Sequence, residues 1–109
     1  MAYPFENALF QWEEGHRSLE ELRGDPRAYR RADRTVRAVT DELRRRIGPT
    51  FRAADLAALY GEGTDWCLEV AMAVDPAPPR DPQQLADAAF WLYLRGARDF
   101  AGGGQLAAD

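Results

Sequence analysis

Apolar positions recur every three to four residues along most of the chain, the period of an α-helix with one buried face. From Phe5 to about Leu22, the residues Phe5, Ala8, Leu9, Trp12, His16 and Leu19 fall on one side, and Glu6, Glu13, Arg17, Glu20 and Glu21 on the other. Gly24 is placed to end this helix. A second helix is predicted over 26–47. Asp25 can cap its free N–H groups and Pro26 suits its first position. Its stripe is Tyr29, Ala32, Val36, Val39, Leu43 and Ile47, and Gly48-Pro49 closes it. At 1.5 Å per residue it is about 33 Å long and should be the spine of the domain.

A short helix is predicted from Phe51 to Tyr60 with Thr50 as cap, then a connection between Gly61 and Gly63. A fourth helix follows from Thr64 to Val74, with Trp66, Val70 and Ala73 facing inward. Residues 75–80 hold three prolines, which favours an extended crossover. The last helix has the strongest start: Asp81 caps, Pro82 takes the first position and Gln84 can close a capping box. It is predicted to run to Phe100. No alternating strand pattern and no internal repeat occurs. The expectation is an all-α, compact bundle of about five helices: two long N-terminal ones, a short pair and one long apolar C-terminal helix. Residues 1–101 are expected to form one domain and 102–109 a flexible tail.

Composition fits one globular domain: 109 residues, of which 46% are hydrophobic and 29% charged. The net charge of −4 argues against a nucleic-acid surface, which must neutralise phosphates. The charge is uneven, however. Residues 27–46 hold eight Arg against three acids, inside an otherwise acidic chain. All fourteen basic residues are Arg, which reads as the codon bias of a GC-rich bacterial genome. A single cysteine excludes an internal disulfide. No signal-peptide pattern opens the chain and no apolar run is long enough to span a membrane, so a cytoplasmic location is expected.

Candidate chemistry is sparse. Glu13 and His16 have the Glu-x-x-His spacing of di-iron bundles, but only one copy is present and His16 lies on the apolar face. It reads as a partly buried histidine at a core edge. Cys67 has no histidine near it in sequence and reads as a small buried hydrophobe. Gly102-Gly103-Gly104 is followed by no helix and is no phosphate cradle. No catalytic, cofactor-binding or metal-binding set is assigned, and no enzyme activity is expected.

The segment 51–74 resembles a helix-turn-helix, with Ala54, Leu56, Ala57 and Gly61 where that motif uses small or apolar residues. Its would-be recognition helix presents Glu62, Thr64, Asp65 and Glu69, which repel phosphates. The Arg face of the second helix, Arg30, Arg34, Arg37 and Arg45 with Arg27, is the other candidate for nucleic acid or an acidic partner. Its acids are spaced for internal pairs, such as Asp33 with Arg37 and Glu42 with Arg45.

Some apolar residues break the helical pattern. Phe10 falls among glutamates, Leu68 and Met72 lie opposite Val70, and on the last helix Leu85, Ala89, Phe90, Leu92, Tyr93, Leu94 and Ala97 cover most of the circumference, leaving a narrow polar stripe of Asp87, Arg95 and Arg98 with Trp91 inside it. Such surplus apolar surface is what partner-binding faces use. Two functional readings follow. One is a non-enzymatic protein–protein interaction or regulatory module, self-associating as a homo-oligomer or binding another protein. It would use the last helix, with Phe10, Leu68, Met72, Phe90, Trp91 and Leu94 at the interface. The alternative is a nucleic-acid-binding regulator, using segment 51–74 or the Arg face.

Overall fold

Asp25 and Pro26 open the longest helix. The Asp25 carboxylate accepts a hydrogen bond from the Ala28 N–H at 3.3 Å, and Pro26, with no N–H of its own to satisfy, occupies the first helical position. The computed structural model describes residues 4–100, with side chains through residue 96. It contains α1 (Phe5–Glu20), α2 (Pro26–Ile47), α3 (Ala53–Gly61), α4 (Asp65–Val74) and α5 (Pro82–Phe100), with a 3-10 turn over Glu21–Gly24. No strand occurs among the described residues, and the fold is an all-α bundle. The expected tail 102–109 lies outside the described residues, as do the side chains of Ala97 and Arg98.

The bundle is organised around an antiparallel pair of the first and last helices. Ser18 Oγ donates to Gln84 Oε1 at 3.0 Å, Gly15 lies against Asp87 and Ala88, and Trp12 stacks on Phe90 with ring centroids 5.3 Å apart. Rising numbers on α1 thus meet falling numbers on α5. Tyr60 of α3 closes an aromatic cluster by packing edge-on against Trp12 at 5.7 Å and Phe90 at 5.1 Å. Offset and edge-to-face contacts of this kind add to the burial of the rings.

α2 lays Ala32, Val36, Val39 and Leu43 into the same core. Tyr29 and Ile47, the ends of its expected stripe, are only half-buried. The helix stops at Gly48, whose φ of 81° favours glycine and whose N–H bonds back to Arg44 O at 2.9 Å. Past this stop, the Tyr93 hydroxyl of α5 donates to the Gly48 carbonyl, and Phe51 stacks on the Tyr93 ring at 5.2 Å.

Several local details depart from the pattern-based expectations. α1 ends at Glu20, and the 3-10 turn carries Leu22 into the core. α3 starts at Ala53: Phe51 is buried but lies outside the helix, the N-cap Arg52 is extended, and the Arg52 N–H bonds to Asp55 Oδ2 at 3.2 Å, so Thr50 is not the cap. α4 is rotated by about one position. Cys67 and Ala71 are buried, Trp66 and Val70 half-buried and Ala73 exposed. The Trp66 ring is too large for the closest approach. It lies at the edge, beneath the Arg46 guanidinium at 4.2 Å, while small residues face the neighbouring helices. Gln84 does not close a capping box, since Ser18 holds its side-chain oxygen. Asp81 caps α5 through the Gln83 N–H at 2.8 Å.

Candidate functional site

The outer face of α2 collects the basic residues. Arg27, Arg30, Arg31 and Arg34 stand three, four and seven positions apart and so share one side of the helix. With Asp33 and Arg37 they line a shallow groove of about 470 Å³. Arg31 is fixed at the edge of this groove. It gives two hydrogen bonds of 3.0 Å to the buried Asp75 carboxylate and one of 2.6 Å to the Ala77 carbonyl. The Arg31 guanidinium holds the Asp75 carboxyl below its ordinary range. This clamp ties the proline-rich crossover to α2. Among the described residues, Arg27, Arg30 and Arg34 have no carboxylate within ion-pair distance. Their positive charges stand in the N-terminal half of α2, the half nearer the positive end of the helix dipole, where cations gain nothing from the backbone.

Farther along α2 the character changes. Arg37 pairs with Asp33 at 2.8 Å, Arg44 with Asp41 at 3.6 Å, and Arg45 and Arg46 with Glu42 at 2.6 and 3.0 Å. Here the expected internal pairing occurs. Exposed pairs of this kind contribute little to stability. Between them a second groove, about 430 Å³, is lined by Asp33, Val36, Arg37, Thr40, Asp41, Arg44 and, from α5, Leu92. Leu92 is 37% exposed, and Val36 is buried. Asp33 and Arg37 belong to both grooves. The surface is therefore continuous, with an unpaired basic end and an apolar floor rimmed by paired charges.

The chain matches no family model, no curated protein and no solved structure.

The other predicted site residues divide sharply. Phe10 and Met72 are exposed, at 59% and 41%. Leu68 is half-buried. Phe90 and Leu94 are core residues, so their proposed role in a partner surface is corrected: α1, α2 and α4 pack around α5 and cover them. Leu85, Ala86, Ala88, Ala89 and Tyr93 of α5 are buried as well, and Leu92 is left at the surface. Trp91 is half-buried, between the His16 ring at 5.8 Å and the Arg95 guanidinium at 5.7 Å.

The histidine and the cysteine occupy structural settings. His16 lies 3.6 Å from Glu20, while Glu13 is exposed. No group of three metal-ligating side chains occurs among the described residues. Burial pushes the Cys67 thiol up to about 12, so at neutral pH it carries almost no thiolate, the form a nucleophile requires. In the segment resembling a helix-turn-helix, α3 rests on α1 and α5 whereas α4 rests on α2 and α5, so the two are not a mutually packed pair. Glu62, Asp65 and Glu69 are exposed there. No helix among the described residues is long and apolar enough to cross a membrane.

One polar residue of the core gave no signal in the sequence. Asp87 of α5 is buried, and its Oδ1 accepts from the Tyr60 hydroxyl at 2.8 Å and from Gln83 Nε2 at 3.0 Å. Burial raises its carboxyl to about 6, against the lowering effect of those two hydrogen bonds. The sequence pattern puts it on the outer, polar stripe of the helix, and its contacts with α1 and α3 turn it inward.

Proposed function

We propose that the chain is a non-enzymatic interaction module that binds an acidic protein segment along the α2–α5 surface. The observation that carries this reading is the continuity of the two grooves, with Arg27, Arg30 and Arg34 at one end, beyond ion-pair distance of any carboxylate among the described residues, and the exposed Leu92 at the other. Unpaired arginines supply long-range attraction and bidentate contacts to carboxylates. An exposed leucine in a groove supplies the apolar anchor that such a contact needs. The last helix contributes through Leu92 rather than through Phe90 and Leu94.

The nucleic-acid reading draws on the same three arginines. Against it stand Asp33, Asp41 and Glu42 on the same helix, and the acidic balance of the whole chain. A duplex would set phosphates against those carboxylates along the whole length of the helix, whereas a short acidic segment with an apolar anchor meets chiefly the arginine end and Leu92.

The two readings separate in one experiment. Fluorescence anisotropy is measured with three labelled probes: an acidic helical peptide with one aromatic anchor, its charge-reversed counterpart, and mixed-sequence duplex DNA. The proposal expects binding of the acidic peptide alone, weakened by salt and by Arg30→Ala/Arg34→Ala. Tighter binding of DNA, with a steep salt slope, would replace the proposal with the nucleic-acid reading. No binding of any probe would remove both.

A further inference from the structure

We propose that the acidic segment bound by the α2–α5 groove is the outer face of α1 on a second copy of this chain, giving a head-to-tail contact. The inference rests on the interaction reading above and names its partner.

Two surfaces on the same molecule are complementary. Phe10 is the most exposed large hydrophobic residue among the described residues, at 59%. Glu6 and Glu13 flank it four and three positions away on the same face of α1. Among the described residues, neither carboxylate has a cation within ion-pair distance. The α2–α5 surface is the reverse in balance: the exposed Leu92 stands in a groove where Arg37 and Arg44 are paired with Asp33 and Asp41, and this groove runs into the one lined by Arg27, Arg30 and Arg34, which have no carboxylate within ion-pair distance among the described residues. With Phe10 seated beside Leu92, Glu6 and Glu13 lie about 6 Å and about 4.5 Å to either side along the helix, at 1.5 Å per residue. One of them then faces the end of the surface that holds Arg34, Arg30 and Arg27, and the other faces Arg44, whose present partner is the exposed Asp41 3.6 Å away.

Self-pairing of like faces is disfavoured. Residues 27–46 of α2 hold eight Arg against three acids, so two α2 faces repel. No residue of α1 lines either groove, so a chain cannot fill its own groove with its own Phe10 as folded. The contact is therefore heterologous, which leaves one free knob and one free groove at the ends of any assembly. Such a contact builds rings or open chains, and its charged rim makes it sensitive to salt.

The test uses the full chain in sedimentation velocity, at concentrations rising to about 1 mM, where even a small charge-rich contact is populated. Wild type is run at low and high salt beside two single variants, Phe10→Glu and Leu92→Glu. Both substitutions are at exposed positions, and circular dichroism checks that each variant folds. Wild type should grow in mass with concentration at low salt, and less so at high salt. Each variant should remain monomeric alone. An equimolar mixture should give a dimer and nothing larger, because one variant keeps the groove and the other keeps the knob. Glu13→Arg is the second probe of the knob and should weaken wild-type association. The inference is overturned by a wild type that stays monomeric throughout, by a variant that associates like wild type, or by a mixture that stays monomeric. A monomeric wild type that still binds the acidic peptide overturns the self-recognition and leaves the interaction reading intact. Failure of both assays removes both.

Discussion

Gly15 of α1 lies so close to Asp87 of α5 that a Cβ on Gly15 would stand 2.5 Å from the Asp87 Cβ. The same Cβ would meet the Gln84 carbonyl oxygen at 2.5 Å and the Ala88 nitrogen at 2.8 Å, and these backbone atoms cannot swing aside. The missing side chain sets the spacing of the central helix pair, and with it the approach of Trp12 to Phe90.

Gly15→Ala should therefore force the two helices apart and destabilise the fold by about 3 kcal/mol, the range for overpacked cores. Gly96 on the same helix pair is the control, since nothing lies within 4 Å of its would-be Cβ. Gly96→Ala should stabilise by up to about 1 kcal/mol through helix propensity. Urea unfolding of both variants checks the opposite signs.

Asp87 makes stability depend on pH in a defined direction. Its carboxyl titrates at about 6 when folded, against an ordinary value of 3.8. A raised folded value favours the protonated form, so the contribution is complete below about pH 4 and lost as the pH rises through 6. Asp87→Asn keeps an oxygen to accept from Tyr60 and Gln83 and removes the charge. The variant should exceed wild type by up to about 3 kcal/mol above pH 7, with the difference shrinking towards pH 4. A difference independent of pH would refute this role.

Thr35 of α2 is fully buried, and its hydroxyl has no hydrogen-bond partner among the described residues. Thr35→Val has the same shape and removes the orphaned group. It should stabilise by about 1 kcal/mol, seen as a higher melting temperature.

Cys67 should resist alkylation by iodoacetamide at pH 8 in the native protein and react promptly once the chain is unfolded. Its burial and its raised thiol pKa both predict this.

Much of the architecture was legible because its signals are local. Asp25-Pro26 and Asp81-Pro82 mark two helix starts by backbone chemistry alone, and the α2 stripe repeats long enough to be unambiguous. Contacts between helices were not legible. Gly15 and Ser18 break the apolar stripe of α1, and nothing local says that they are where α5 comes closest. The apolar circumference of α5 is equally compatible with an exposed interface and with a central helix. The structure makes it central, which moved Phe90 and Leu94 into the core and left Leu92 outside. Arg30 and Arg37 look alike in sequence, yet Arg37 finds Asp33 one turn away while Arg30 has no carboxylate within ion-pair distance among the described residues.

The most direct test of the proposed interaction surface is a map of where an acidic helical peptide binds. Backbone amide shifts of the isotopically labelled chain are followed while the unlabelled peptide is added, at protein concentrations low enough to keep the chain monomeric. The account predicts shifts concentrated at residues 27–44 of α2 and around Leu92, and lost in Arg30→Ala/Arg34→Ala. Shifts centred on Phe10 or Met72, or no shifts at all, would contradict it.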